Sequence, residues 1–246
     1  MKDVLAAGGR RDLAAFVRRG TLVALDLDGT LAPIASSPSE AVIPASTREL
    51  LKRLGRHYPM IVLTGRSRAD ALHVLGGVPV LEVIGSHGLE TPGAAVLRFA
   101  QRVAGWRAQL AERLRSLVGV SIEDKRYSLA VHYRHAADPA EALQRIEHAT
   151  AGLSGARLLG GKKVVNLLPE EAPGKDAALL AACARLGCDR ALYVGDDETD
   201  EDVFALRDPR IFGIRVGGET RSAAPFFLAD QGRIDELLEA LLALTG

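Results

Sequence analysis

Cysteine is nearly absent from this chain: two in 246 residues, Cys183 and Cys188, whose separation is not that of a CxxC pair. That argues against a disulfide framework and against a cysteine zinc or redox site, and leaves two reduced thiols as the expectation. Net charge is also missing. Lys+Arg and Asp+Glu both number 31, so no overall field draws in nucleic acid or an anionic membrane, and any phosphate binding must be local. No apolar run approaches the roughly 20 residues that cross a bilayer. The first residues, MKDVLAAGGRRDLAAF, carry charges where a signal peptide has its apolar centre. The expectation is a cytoplasmic protein with no nucleic-acid and no membrane partner. Long internal repeats and low-complexity segments are lacking too.

What is present suffices for a large core, because 48% of the residues are hydrophobic, enough for one domain or a domain with a smaller companion. Thr21–Asp26 (TLVALD), Met60–Thr64 (MIVLT) and Ala191–Gly195 (ALYVG) are short apolar runs of the kind buried on both faces as strands. Helical patterns lie between them, over Thr47–His57, Ser67–Leu75 and Lys175–Leu186, and a last one, Ile234–Leu244, carries a single apolar stripe. Strand alternating with helix predicts a parallel sheet covered by helices.

The middle of the chain reads differently. From about Gln101 to Leu168 the order is a helix through Trp106, Leu110, Leu114 and Leu117, strands at Val120–Ile122 and Ser128–Tyr133, a helix at Ala140–Ala151, and strands at Arg157–Leu159 and Lys163–Leu168. Two helix-strand-strand units predict an antiparallel sheet backed by helices. The parallel pattern resumes after Pro173, so this unit is read as an insertion, with Thr91–Gly93 and Pro169–Gly174 as hinges. The expected fold is α/β, a Rossmann-like core of residues 1–100 and 170–246 with an inserted α+β domain at 101–169.

The chemistry concentrates at strand ends. Asp26-Leu27-Asp28-Gly29-Thr30 follows the first buried run, and alternation puts both acids on one side of the strand end, where they repel unless a cation lies between them. Gly29 permits a sharp turn just beyond. A second acidic cluster, Asp196-Asp197-Glu198-Thr199-Asp200-Glu201-Asp202, follows Ala191–Gly195 directly, and Thr64-Gly65-Arg66 follows Met60–Thr64. In an open parallel sheet these ends share one crevice. Hard oxygen donors suit Mg²⁺, which takes one or two carboxylates and keeps waters and a substrate phosphate. Asp200 and Glu201 equally suit the start of a helix, as cap and first-turn charge.

With Thr64 at a strand end and Lys175 at a helix start, these acids make a phosphoryl-transfer constellation. The order DLDGT, TGR, GK, GDDETDED resembles the haloacid-dehalogenase-like hydrolases, and the insertion resembles their sugar-phosphatase caps. More narrowly, GSHGLE (Gly85–Glu90), EDKRYSLAVHYR (Glu123–Arg134), KKVVNLLP (Lys162–Pro169) and GDDETDEDVF resemble trehalose-6-phosphate phosphatases over roughly residues 20 to 207. The resemblance implies that Asp26 is the nucleophile and Asp28 the general acid and then base. It implies Mg²⁺ on the Asp26 carboxylate, the Asp28 carbonyl and Asp196, with Thr64 and Lys175 on the phosphoryl group and Asp200 orienting the metal shell. Arg66, His87 and Glu90 are expected near the sugar or at the cap-core seam, and in the cap Glu123 and Lys125 as sugar contacts, then His132 and Arg134. Spacing alone fits Glu123, Lys125, His132 and Arg134 equally well to cross-strand salt bridges. Asn166 stands where many relatives carry a glutamate.

The implied activity is hydrolysis of trehalose 6-phosphate, a small sugar phosphate, with functional coupling to a trehalose-phosphate synthase. The alternatives are another capped sugar phosphatase, such as a sucrose-phosphate or mannosyl-3-phosphoglycerate phosphatase, and a non-catalytic sugar-phosphate sensor that partners the synthase. The joint presence of Asp26, Asp28, Lys175 and Asp196 speaks against the sensor, since a binding module needs neither nucleophile nor acid. A phosphotransfer receiver domain lacks both an inserted cap and the DxD pair.

Overall fold

The computed structural model describes residues 1–35, 37–93, 97–218 and 221–245. In chain order the elements are β1 (Lys2–Asp3), α1 (Ala7–Phe16), β2 (Leu22–Leu25), α2 (Ala45–Leu54), β3 (Met60–Leu63), α3 (Arg68–Leu75) and β4 (Glu82–Ile84). There follow α4 (Leu97–Arg113), β5 (Ser121–Asp124), β6 (Leu129–His132), α5 (Pro139–Thr150), β7 (Ala156–Gly161) and β8 (Val164–Pro169). The last are α6 (Lys175–Leu186), β9 (Ala191–Gly195), α7 (Glu201–Ala205), β10 (Ile211–Val216), β11 (Phe226–Leu228) and α8 (Ile234–Ala243). They fall into two compact units, Met1–Pro92 with Gly174–Gly246, and Gly93–Pro173.

In the first unit seven parallel strands lie in the order β1-β11-β10-β9-β2-β3-β4. The strands β2, β3 and β9 are buried along their whole length, as continuous apolar runs between two helical layers must be. Side chains alternate across the sheet. Val23, Leu25, Met60, Val62, Leu192 and Val194 join the core under α2 and α8, whereas Leu22, Ala24, Ile61, Leu63, Ala191 and Tyr193 join the core under α6. The apolar stripe of α8 is spent on packing, with Leu237, Leu238 and Leu241 fully buried.

The expected helix over Thr47–His57 ends instead at Leu54, where Gly55 begins a turn that brings Tyr58 back to the Leu54 carbonyl. Sequence reading passes over β10, because Gly213 and Arg215 interrupt its apolar pattern. A Cβ on Gly213 would crowd the Phe204 ring, and Arg215 is buried because Asp197 and Glu201 accept its hydrogen bonds. Three residues each, β4 and β11 are too short for a periodic signal.

In the second unit β5-β6-β8-β7 form one antiparallel sheet, and α4-β5-β6 and α5-β7-β8 are the two helix-strand-strand units. Leu129, Val131, Val165 and Leu167 pack with Trp106, Leu110 and Ile146 of the helices. The opposite face carries Glu123, Ala130 and Asn166, which are direct neighbours in register. Lys163, expected inside a strand, adopts φ 64° in the turn between β7 and β8.

Candidate active site

The order of the parallel sheet reverses at its centre: from β2 the chain adds β3 and β4 on one side, and from β9 it adds β10 and β11 on the other. Ligands of such sheets bind beyond the carboxyl ends of the strands at that reversal. Asp26 sits there directly after β2. Its N–H donates to the Val194 carbonyl at 2.9 Å, and Leu25 and Leu27 on either side are buried, so packing fixes where the acid points. Its own carboxylate is buried too.

Lys175 opens α6 with its side chain 2% exposed, and its ammonium donates to Asp26 Oδ1 at 2.9 Å and Asp200 Oδ1 at 2.6 Å. Tyr193 Oη donates to the same Asp200 oxygen at 2.5 Å, and Asp200 Oδ2 accepts from the Asp197 N–H at 2.8 Å. Asp200 therefore fills both roles that its position allows: it latches the turn before α7 as the second acid of a capping box does, and it faces the cluster. Glu201 is engaged elsewhere, accepting from Arg215 Nη1 and the Ala223 N–H.

Carboxylate oxygens of Asp26, Asp196 and Asp200 all lie within 4.8 Å of one another, and all three residues are buried. Three carboxylates against the one ammonium of Lys175 leave two negative charges, which a divalent cation balances. Without one, burial holds the Asp26 carboxyl well above the usual range; Lys175 opposes this and the charges of Asp200 and Asp196 add to it. Burial works against the Lys175 ammonium, but Asp200 and Asp26 outweigh it and keep its pKa well above the ordinary value. Burial and then Asp200 push the Tyr193 phenol well up, so it remains a donor. The donor set, all oxygen and short of positive charge, fits a hard cation.

The Asp28 carboxylate does not join this cluster. Alternation predicts both acids of DLDGT around one cation; in the structure Asp26 turns to Lys175 and Asp28 to Arg66, whose Nε and Nη2 donate to its two oxygens at 2.7 and 2.8 Å. The reason is local: β2 ends at Leu25, and beyond it the Leu27 carbonyl accepts from the Leu31 and Ala32 N–H groups, so strand alternation no longer applies. Gly29 has φ 77°, and a Cβ there would overlap the Asp196 carboxylate. We expect Gly29→Ala to cost about 1–2 kcal/mol in backbone strain and to displace Asp196. Urea unfolding should show the first, and a loss of cation-induced thermal stabilisation the second; an unchanged cation response would mean that Asp196 does not depend on this contact.

Thr64 follows β3, is buried, and its hydroxyl oxygen accepts from the Arg66 N–H at 3.2 Å. The GSHGLE segment braces the same loop. The His87 N–H donates to the Thr64 carbonyl and the Ser86 N–H to the Arg66 carbonyl, while Glu90 Oε1 accepts from Ser86 Oγ at 2.6 Å and the Arg68 N–H at 3.3 Å. Gly65 is required because a Cβ would collide with the His87 ring. Arg66, His87 and Glu90, expected near the sugar or at the cap-core seam, thus lie together around the loop that carries Thr64, Arg66 through its backbone, His87 through its N–H and Glu90 through its carboxylate.

In the second unit Glu123 Oε2 lies 2.8 Å from His132 Nε2, a cross-strand pair on the face turned away from α4 and α5. Asn166 is buried on that face. The Lys125 N–H donates to the Ser128 carbonyl at the β5–β6 turn, and Arg134 is exposed beyond the end of β6. Two residues of the first unit escaped sequence reading. Tyr193 looks like any core residue of a buried strand, whereas Asp70, which pairs with Arg66 four residues earlier at 2.5 Å, could have been found from that spacing.

A central parallel sheet with acidic strand ends, carrying an inserted antiparallel sheet backed by helices, defines the class: a capped haloacid-dehalogenase-like phosphatase fold. The C-terminal domain of trehalose-6-phosphate phosphatase from C. albicans superimposes with a TM-score of 0.81 at 20% identity over 99% of both chains. A trehalose-6-phosphate phosphatase related protein gives 0.75 at 24% identity over 91% of this chain and 98% of that one. The sucrose-phosphatase of Synechocystis shares the fold at 0.61 and 18% identity, over 92% and 98%. The trehalose-phosphatase family model matches residues 24–231, and this chain belongs to that family. Among curated relatives, an uncharacterized glycosyl hydrolase of Mycobacterium tuberculosis is 37% identical over 235 residues, 85% of this chain and 17% of its own length. The trehalose-phosphate phosphatase of Mycobacterium marinum is 33% identical over 257 residues, 96% of this chain and 64% of its own. The chain thus spans from under a fifth to just under two thirds of these relatives.

Proposed function

We propose that this protein is a Mg²⁺-dependent phosphatase that hydrolyses trehalose 6-phosphate to trehalose and phosphate through an aspartyl-phosphate on Asp26. The observation that carries the reading is the buried Asp26 carboxylate, held by Lys175 beside Asp196 and Asp200, in a member of the trehalose-phosphatase family. Mg²⁺ held by Asp26, the Asp28 carbonyl and Asp196 would neutralise charge on the phosphoryl oxygens. Lys175 keeps Asp26 oriented and adds positive charge where the transition state gains negative charge. Thr64 donates its hydroxyl proton to a phosphoryl oxygen. Asp28 protonates the departing sugar oxygen as Asp26 bonds to phosphorus, then takes a proton from the water that cleaves the acyl phosphate. Asp200, latched by Tyr193 and Asp197, keeps Lys175 in place.

Recognition of the sugar falls in this reading to the second unit, through Glu123 and Lys125, supported by His132, Arg134 and Asn166. The setting is the cytoplasm, with both cysteines free; among the described residues no helix is long and apolar enough to cross a membrane. The activity would follow, and be coupled to, a trehalose-phosphate synthase.

The direct test is phosphate release from trehalose 6-phosphate, sucrose 6-phosphate and mannosyl-3-phosphoglycerate, with and without Mg²⁺. Release fastest from the first and abolished by chelation is expected; a rate indifferent to chelator would remove the metal, and preference for another ester would remove the substrate. Glu123→Ala and Lys125→Ala test the cap. A hydrogen bond to a charged group is worth about 1.5–3 kcal/mol, so kcat/KM for trehalose 6-phosphate should fall roughly ten- to hundred-fold. Turnover of p-nitrophenyl phosphate, which has no distal sugar, should change little. Equal losses on both would mean that the pair supports the cap's own fold, as the Glu123–His132 bond also allows.

A further inference from the structure

Each of the three guanidinium nitrogens of Arg66 donates to an acid. Two of its nitrogens hold both oxygens of Asp28, and Nη1 donates to Asp70 Oδ2 at 2.5 Å. The Arg66 side chain is 8% exposed, while those of Asp28 and Asp70 are 38% and 39% exposed. The arginine is the buried hub, and the outer edge of Asp28 stays open to a reacting group. We infer that Arg66 and Asp70 are positioning residues for Asp28, a relay that fixes the plane of its carboxylate for proton transfer; the inference rests on the phosphatase reading above and deepens it.

Each link is held from behind. The Arg66 backbone is fixed at both ends, its N–H on Thr64 Oγ1 and its carbonyl under the Ser86 N–H. Asp70 lies in the first turn of α3, where its N–H donates to Ser67 Oγ at 3.2 Å, so its carboxylate reaches back to Arg66 from a fixed point. A planar guanidinium that donates two parallel bonds sets the orientation of a carboxylate as well as its distance. When Asp28 carries the proton on its open edge, the bond to the protonated oxygen weakens, and the bond to Asp70 keeps the fork in place meanwhile. The proton then passes to the leaving oxygen as its bond to phosphorus breaks and the Asp26–phosphorus bond forms. It is replaced from the attacking water in the second step.

A relay that serves proton donation has a signature that a packing contact lacks: its loss should matter most where the leaving group most needs a proton. The experiment measures kcat/KM, which reports on steps through departure of the leaving group, for 2,4-dinitrophenyl, p-nitrophenyl and phenyl phosphate at saturating Mg²⁺. Asp70→Asn and Arg66→Lys should each lose about ten-fold on phenyl phosphate, a fraction of what a general acid contributes, and less than about two-fold on the dinitrophenyl ester. Asp70→Glu, which restores the carboxylate, should recover part of the loss. Uniform losses across the series would overturn the assignment and leave Arg66 and Asp70 as scaffold, and so would unchanged rates in Asp70→Asn. A wild-type protein inert toward all three esters would sink the phosphatase reading itself.

Discussion

Asp26→Asn should release no measurable phosphate while remaining folded. The amide is nearly the size of the carboxylate but cannot form an acyl phosphate, so turnover should fall at least about 10⁴-fold, the scale on which loss of a nucleophile is felt. The fold has reason to tolerate the change. Burial already disfavours the Asp26 carboxylate, and the neighbouring acids Asp200 and Asp196 add to the strain; removing one negative charge relieves both. Lys175 would keep its 2.6 Å bond to Asp200, and the amide oxygen can still accept its second bond. Melting temperature and circular dichroism should therefore match the wild type within a few degrees. Residual turnover comparable to wild type would show that some other group attacks phosphorus, and the whole assignment of roles would go with it.

The second large effect is expected at Lys175. Lys175→Met keeps most of the buried volume and removes the ammonium that bonds Asp26 and Asp200. Three clustered carboxylates are then left without it, and in the reading proposed above the transition state loses a positive charge beside the nucleophile. Removal of such a group costs on the order of 10²–10³-fold, about 3–4 kcal/mol. The variant should also be less stable than wild type without added cation, because breaking a buried ion pair leaves uncompensated charge. Mg²⁺ should narrow that gap in stability without restoring the rate. A variant equally stable with and without Mg²⁺ would mean that the cluster does not take a cation; unchanged kcat would mean that Lys175 only holds the fold together.

How far these residues could be foreseen depends on what each signal rests on. Asp26, Thr64 and Asp196 were legible because each ends an apolar run, and a buried strand has to stop somewhere in a polar loop. Lys175 was legible by the same logic at a helix start after Gly174. The insertion announced itself through a change of period, and its two helix-strand-strand units are as expected. What sequence could not supply was direction. Whether Asp28 turns toward Asp26 or toward Arg66 depends on a turn in which strand alternation has ended, and nothing in GSHGLE states that its backbone N–H groups bond to the TGR loop. Tyr193 was hidden because one side of its ring packs against Phe204 like any core residue, and a hydroxyl adds nothing to an apolar pattern.

The latch between Asp200 and the Asp197 N–H ties two events that are usually separate. Local opening of the turn before α7 would carry away the carboxylate that Lys175 and Tyr193 hold, so one excursion both frays the segment and dismantles the charge cluster. In hydrogen-exchange terms the Asp197 amide becomes a reporter of the reactive centre. Its protection factor reads the free energy of that sub-global opening, and a cation that binds the closed cluster should slow its exchange in proportion to occupancy, an equilibrium readout of the assembled centre that requires no turnover.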